Sequence, residues 1–416
     1  MIDLILAVFI ATYIGMALGR WPGLAIDRTG IALIGAIVLI AAGALTLEGA
    51  AQSVDLPTLL LLFGLMIVSA QFAASGFYDG VAARVARMGA DSPHGPKKLL
   101  AAVIMVAGGL SALLANDIVV FAMTPLLCIG LQKRGLNPTP YLIALACAAN
   151  AGSAATMIGN PQNILIGQVG KLDFVAFLGY SAVPALVAMM VSYAVIAWQW
   201  RGRLTAGVAA SADDLAAVPL ARDKTQFIKA LVATAALLAL FFTDLPRELS
   251  ALAIAALLLL SRKLASRDLV GAVDFSLLLL FAGLFVVTGA LAATPLAADL
   301  FADLARAGWL PDRIATLAPL ALVLSNTIGN VPAVILLLQV WQSPPDGALY
   351  GLALLSTLAG NLLIVGSLAN IIVAERAASV GIRLGFMDHA KSGVPVALIS
   401  MGLAAIWLWW TGALPF

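Results

Sequence analysis

Long apolar runs separated by short polar stretches fill this chain from end to end. In the first half they lie near positions 2–19, 30–46, 56–73, 141–168 and 174–199, and in the second near 227–243, 247–261, 275–294, 348–374 and 394–411. The hydrocarbon core of a bilayer takes about 20 apolar residues of helix. A barrel strand would instead alternate apolar and polar over about ten residues, whereas Leu56 to Ala73 and Leu252 to Leu260 are apolar on nearly every face. The pattern therefore predicts about ten transmembrane helices. Two further runs, 99–134 and 312–341, are longer than one crossing needs, and each breaks in its middle. One breaks at Asn116-Asp117 with Pro125 beyond it; the other breaks at Asn326-Thr327-Ile328-Gly329-Asn330 with Pro332 beyond. Helix, polar turn and helix make a re-entrant hairpin, a shape tolerated at depth only inside protein or beside a water-filled cavity.

Composition narrows the class. Of 416 residues, 62% are hydrophobic and 11% charged, with a mean hydropathy of +1.05. No soluble domain carries that balance, so an all-α integral membrane protein is expected. The net charge of +2 is spread between spans and forms no patch, so no nucleic-acid partner is expected. Arg20 and Arg28, Arg84 to Lys98, Lys133 and Arg134, Arg201 and Arg203, Arg262 to Arg267, and Arg376 to Lys391 fall on one side of the layout. The other side holds only Lys171, Arg247, Arg306 and Arg313, and its loops Thr46 to Asp55 and Gln342 to Ala348 hold no positive residue. The positive-inside rule makes the basic side cytoplasmic and puts both termini outside, in the plasma (inner) membrane. This holds only if both broken runs are re-entrant. The chain opens with Asp3 rather than a basic stretch, so the first span reads as retained and not as a cleaved signal. Cys128 and Cys147 sit in apolar runs and read as small hydrophobes. His94 and His389 fall in polar loops, which leaves no material for a metal cluster.

The same layout contains a repeat. Residues 1–199 form an N-terminal unit with a cytoplasmic-side hairpin at 99–134, and residues 227–416 form a C-terminal unit with an outer-side hairpin at 312–341. A cytoplasmic linker, 200–226, holds Asp213, Asp214 and Arg222-Asp223-Lys224. The parts follow in the same order with opposite orientation, the inverted repeat of alternating-access carriers.

Four interruptions carry the chemistry. Besides the hairpin turns, Gly-x-x-x-Asn recurs in runs 141–168 and 348–374, as Gly159-Asn160-Pro161-Gln162-Asn163 and Gly366-Ser367-Leu368-Ala369-Asn370. A broken helix leaves carbonyls that can hold a cation and amides that attract an anion. Asn116, Asn160, Asn163, Asn326, Asn330 and Asn370 add amide groups that donate or accept, and Gly159 and Gly366 permit close approach. Ser153, Thr156, Ser325, Thr327 and Ser367 cluster at the breaks as candidate ligands, although each alone could bond back to its own helix. Asp117 is the only acid or base between Leu99 and Leu131. A charge at that depth is functional by default, as a cation ligand or proton carrier, and a capping role at the second hairpin helix can coexist with it. Glu375 reads either as a proton or cation relay or as an ion pair with Arg376 at a helix end. Trp407, Trp409 and Trp410 read as an interfacial belt.

At these residues the chain resembles the ion transporter superfamily that includes the arsenite-efflux ArsB-type permeases, the divalent-anion/sodium symporters and the NhaD-type antiporters. Ala115-Asn116-Asp117 with Thr124-Pro125 looks like the ArsB-type first hairpin, and Ser325-Asn326-Thr327 matches the Ser-Asn-Thr signature with which the symporters bind sodium and carboxylate. Gly366 to Asn370 resembles the second broken helix of the ArsB-like and anion-permease branches. The resemblance implies a scaffold domain and a moving transport domain working as an elevator, often as a homodimer, with a bound sodium at Ser325, Asn326 and Thr327. The first hairpin departs from the symporter pattern: its acid fits proton coupling, and no Lys or Arg lies in any break.

The function expected is a secondary carrier of a small anion or oxyanion, arsenite-like, inorganic or dicarboxylate, coupled to protons or sodium. The alternative is a sodium/proton antiporter of the NhaD type. No Ser/Lys, His-Glu-x-x-His or paired-aspartate constellation suggests an enzyme, and no Walker A loop suggests an ATP-driven pump unless a partner supplies the ATPase.

Overall fold

A computed structural model describes residues 1–19, 21, 23–88, 95–205, 223–341 and 343–416. Most of the expected linker, with Asp213, Asp214 and Arg222, lies outside the described residues, as do Arg20, His94 and Gln342. Among the described residues the regular structure is helical, with one isolated bridge between Leu136 and Thr205.

The first half runs through α1 (Ile2–Leu18), α2 (Arg28–Ala41), α3 (Leu47–Ser53), α4 (Leu56–Ala74) and α5 (Phe77–Arg87) to a hairpin of α6 (Gly95–Leu113) and α7 (Asn116–Lys133). Then come the broken span α8 (Pro138–Ser153) and α9 (Pro161–Val169), and the long α10 (Phe174–Gln199). The second half gives α11 (Lys224–Phe241), α12 (Arg247–Leu259), α13 (Ser266–Gly271), α14 (Phe275–Ala292) and α15 (Pro295–Arg306). A hairpin of α16 (Ile314–Thr327) and α17 (Asn330–Val340) follows. The second broken span is α18 (Asp346–Ala359), a 3₁₀ turn at Ile364–Gly366 and α19 (Leu368–Ala378), and α20 (Phe386–Trp410) ends the chain. Six helices, α4, α6, α10, α11, α14 and α20, are each long and apolar enough to cross a bilayer. The second long run breaks at 328–329, within the expected 326–330; the first breaks at 114–115, just before the expected Asn116-Asp117, which begin α7.

The polar punctuation sets the helix starts. Asp55 caps α4 by accepting from the Thr58 amide at 2.8 Å, and Asp274 caps α14 by accepting from Leu277 at 2.9 Å. These caps stand 219 positions apart, and the packing repeats at that spacing. A Cβ on Gly64 of α4 would press on Ala251 of α12, and one on Gly283 of α14 would press on Ala32 of α2. Gly283 follows Gly64 by 219 residues, and Ala251 follows Ala32 by 219. Each half thus packs its fourth helix on the other half's second, through small residues that let backbones approach.

Three expectations change. Helices α3, α5, α13 and α15 occupy stretches read as loops; α5 carries Asp79 in its first turn and Arg84 and Arg87 in its last, which complements its dipole. Helix α20 begins at Phe386, eight residues before the expected 394, so His389 is not in a polar loop but fully buried inside a helix. Within the hairpins, Asn116 is the first residue of α7, whereas Asn326 closes the preceding helix α16. By helix position the counterpart of Asn116 is Asn330, the first residue of α17, 214 positions later; Ser111 and Ser325 share the same spacing. The Ser-Asn-Thr of α16 therefore faces Ser111-Ala112-Leu113, and Asp117 answers to Val331.

Candidate functional site

The two broken spans meet face to face at their breaks. Asn163 closes the first break by donating from Nδ2 to the carbonyls of Ser153 (3.3 Å) and Thr156 (3.0 Å). Asn370 closes the second by donating to Gly360 (2.7 Å) and Leu363 (3.0 Å). Each of these three pairs of residues is 207 positions apart. The amide oxygens then cross between halves. Asn150 of α8 donates to Asn370 Oδ1 at 3.0 Å and accepts from Ser367 Oγ at 2.8 Å. Thr357 of α18, 207 positions after Asn150, donates to Asn163 Oδ1 at 3.3 Å and accepts from Asn160 Nδ2 at 3.3 Å. A reciprocal exchange of this kind is what two units related by a two-fold axis produce.

Three more residues complete this network. Asn150 also donates to Asn361 Oδ1 at 2.9 Å, Asn361 Nδ2 reaches the Cys147 carbonyl at 3.4 Å, and Gln162 Nε2 donates to Thr357 Oγ1 at 3.1 Å. His389 Nε2 lies 3.1 Å from the Asn361 carbonyl. A carbonyl can only accept, so that nitrogen carries the proton and Nδ1 is left as a bare, buried acceptor. Every amide in the network is at most 1% exposed. At membrane depth such groups must be satisfied internally, and here they are.

Asn160, Asn163, Ser367 and Asn370, expected as ligands, thus also hold the two breaks together. Asn160 also caps α9, accepting from the Asn163 amide at 2.9 Å, and Thr156 donates to the Ala112 carbonyl at 2.5 Å. Gly159 and Gly366 are needed for close approach: a Cβ would lie 2.4 Å from the Ser153 carbonyl oxygen at the one, and 2.4 Å from Asn326 Oδ1 at the other.

Two unsatisfied amide oxygens lie at the hairpin tips. Asn326 Nδ2 donates to the carbonyls of Leu322 and Ala359, both at 2.9 Å, which turns Oδ1 toward Gly366 with no donor. Asn116 Nδ2 reaches Ser153 Oγ at 3.4 Å, its backbone amide donates to the Gly159 carbonyl at 3.1 Å, and its Oδ1 is likewise buried and unpartnered. Buried side-chain hydroxyls of Ser111 and Ser356 are unpartnered too. Helices α7, α17 and α19 begin without a side-chain bond from the N-cap residue, which leaves their positive dipole ends uncompensated by a cap. Hard oxygens at one face and open helix N-termini at the other can accept a cation and an anion respectively.

The remaining candidates divide. Ser325 donates to the Ser356 carbonyl at 3.3 Å and stays in the second site, and Asn330 Oδ1 takes the adjacent Val331 amide at 2.9 Å. Thr327 is exposed, and its hydroxyl bonds back to Val323 and Leu324 of its own helix. Asp117 is half-buried in the first turn of α7, with no hydrogen-bond or ion-pair partner among the described residues, so it does not cap that helix. Glu375 is exposed and outside the network. The ion pair with Arg376 is not formed: the Arg376 guanidinium lies 4.0 Å over the Phe121 ring instead. Cys128 and Cys147 are buried free thiols. Asn150, Thr357, Asn361, Gln162 and His389 are the residues of this network that sequence reasoning did not select.

Interrupted membrane helices that meet across two halves, with unsatisfied oxygens at two hairpin tips, define a multi-pass membrane transport protein and not an enzyme. The chain belongs to the citrate transporter family, whose model matches residues 5–345. It is 30% identical to a 46 kDa membrane protein of Mycobacterium leprae, covering 97% of each chain. It is 28% identical to a silicon efflux transporter of Oryza sativa subsp. japonica over 91% of each, and 24% identical to a putative transporter arsB of Dictyostelium discoideum over 90% of this chain and 86% of that one. The crystal structure of the YdaH transporter of Alcanivorax borkumensis shares its fold, with a TM-score of 0.54 at 16% identity, covering 99% of this chain and 97% of that one.

Proposed function

We propose that this protein is a secondary active carrier of a small anion or weak oxyacid, driven by a proton or sodium gradient through alternating access. The observation that carries the reading is the pair of unsatisfied amide oxygens, Asn116 Oδ1 and Asn326 Oδ1, at two hairpin tips braced against a reciprocal network. A rigid core with open ligand atoms at its edge suits a domain that carries its cargo as a unit. A sodium ion at the second tip would be held by Asn326 Oδ1 and carbonyls at the end of α16, without Thr327 of the expected set, whose hydroxyl bonds back to its own helix. Asp117 supplies the proton-carrying alternative at the first tip. The family name and the relatives named a silicon efflux transporter and a putative transporter arsB support a cargo among tricarboxylates and weak inorganic acids. No Lys or Arg lies in the breaks, so an acid carried in neutral form needs only the amide and hydroxyl groups present.

The unpartnered Asp117 carboxylate also suits a second reading, a sodium/proton antiporter. A thermal-shift screen of the detergent-purified protein separates them, using citrate, silicic acid, arsenite, antimonite, sulfate and dicarboxylates with and without sodium. Stabilisation by one of these supports the carrier; stabilisation by sodium or lithium alone supports the antiporter. The inverted orientation of the two halves, the elevator movement, the homodimer, the inner-membrane location and the external termini belong to the same proposal. Thiol labelling of single cysteines at the two ends tests the last of these.

A further inference from the structure

A cleft of about 640 Å³ opens between α1, α15 and the hairpin α16–α17. That volume falls among pockets that bury a whole small ligand, about 300–1,000 Å³. Its walls include Leu6 and Phe9 of α1, Leu300 and Leu304 of α15, and Leu320 and Leu336 of the hairpin. Only Thr316 and the Trp309 indole bring a polar atom to the lining, and the Thr316 hydroxyl is already spent on the Leu310 carbonyl at 2.6 Å. Apart from the Trp309 indole N–H, the lining side chains leave water nothing to bond. The corresponding place in the first half has no such gap. There α5 lies directly on α7: a Cβ on Gly130 would press on Ala86, and Arg134 donates to the carbonyls of Ala86 (2.5 Å) and Met88 (3.1 Å). In the second half α15 stands off, and Leu300, Val323 and Trp309 line the mouth at 55%, 57% and 68% exposure.

The rim shows what fills it. Helix α15 is amphipathic, the form of a helix lying in the membrane interface, and Trp309 is an interfacial residue beside it. Asp303 pairs with Arg306 at 2.6 Å and Asp312 with Arg313 at 3.5 Å, so each rim cation is matched by an acid; Asp299, also exposed on α15, adds a further negative charge. That rim repels an anionic headgroup and complements one carrying an ammonium. We propose that the cleft holds an acyl chain of a phosphatidylethanolamine-type phospholipid, with its headgroup at the α15–Trp309 rim.

The test uses the full chain purified in detergent and stripped of lipid. Phosphatidylethanolamine and phosphatidylglycerol are added back separately, with native mass spectrometry and thermal shift as readouts. Ala315→Trp, on the exposed wall of the cleft, fills the space; Ala235→Trp, exposed on α11, is the control. Wild type and A235W should bind one phosphatidylethanolamine and gain several degrees in Tm, and A315W should bind at least tenfold more weakly. A photoreactive phosphatidylethanolamine on the wild type should label peptides of α15 and α16, which covers the case of an unfolded A315W. Equal binding by A315W, labelling confined to other helices, or stronger binding of phosphatidylglycerol overturns the proposal. So does a loss of dimer by A315W with lipid binding unchanged, which would make a second copy the occupant.

Discussion

Asn150→Leu is the sharpest perturbation of the network. The side chain is fully buried and makes three hydrogen bonds, to Asn361 Oδ1, Asn370 Oδ1 and Ser367 Oγ, at 2.9, 3.0 and 2.8 Å. Leucine fills a similar volume, so little cavity forms and the polar loss dominates. Interhelical side-chain hydrogen bonds in membranes average about 0.6 kcal/mol and reach about 1.7. A buried partner left unsatisfied costs about 1–3 kcal/mol. Asn361 and Asn370 keep their Nδ2 bonds, so each loses half its function and not all of it. The expected destabilisation is therefore about 2–5 kcal/mol. Thr357→Val, its reciprocal, strands Gln162 Nε2 and Asn163 Oδ1 while Asn160 Nδ2 keeps Ser153 Oγ at 3.0 Å, which predicts a smaller loss of about 1–4 kcal/mol. Reversible unfolding in mixed micelles, followed by tryptophan fluorescence, measures both. A cost below about 0.5 kcal/mol for Asn150→Leu, the range of an ordinary surface change, would refute the claim that these amides close on one another.

Three other substitutions probe separate parts. Gly366→Ala should displace the Asn326 side chain and cut transport at least tenfold with folding retained, whereas Gly402→Ala, with nothing within 4 Å, should leave transport unchanged in the same proteoliposomes. Arg247→Gln removes a charged donor from the carbonyls of Gly167 (3.1 Å) and Leu172 at the end of α9, and should lower stability in the same unfolding assay by about 1.5–3 kcal/mol, the worth of a charge-assisted bond. Asp223 caps α11 from outside the membrane; the Gln226 amide first, then Lys263 and the Thr225 amide, hold its carboxyl below the usual carboxylate range. A depressed carboxylate stabilises above the unfolded pKa of about 4 and loses that contribution as pH falls through the folded value. Asp223→Asn should therefore lower Tm at neutral pH and coincide with wild type in acid, which flattens the acid limb of a Tm-against-pH curve.

Much of the architecture was legible because the membrane enforces a simple rule: apolar runs are helices, and interruptions must be satisfied or functional. Both hairpins and both broken spans fall where the polar letters put them. Helices α3, α5, α13 and α15 were not legible as helices, because an interfacial helix mixes polar and apolar residues as a loop does. Met387-Asp388-His389 reads as polar loop although α20 buries the histidine completely. The site was legible as a place but not as a division of labour. Asn160, Asn163, Ser367 and Asn370 looked like ligands, and the structure shows them also bonded within each break and across the two halves. Asn150 and Thr357 were single polar letters in greasy helices, visible only through the spacing of 207 they share with the Asn163–Asn370 pair. Hairpin pairing by motif matched Asn116 with Asn326, whereas helix position matches it with Asn330.

Gradient-driven flux in proteoliposomes tests the central claim most directly, with the cargo found by the thermal-shift screen and wild type compared against Asp117→Asn and Asn326→Ala. Wild type should accumulate cargo above its equilibrium level when a proton or sodium gradient is imposed. D117N should remove the pH dependence, N326A should weaken any sodium dependence at least tenfold, and both should remain folded. Flux that only follows the cargo's own gradient, at one rate whatever the pH or sodium and in all three proteins, would contradict a coupled carrier and leave a passive pore.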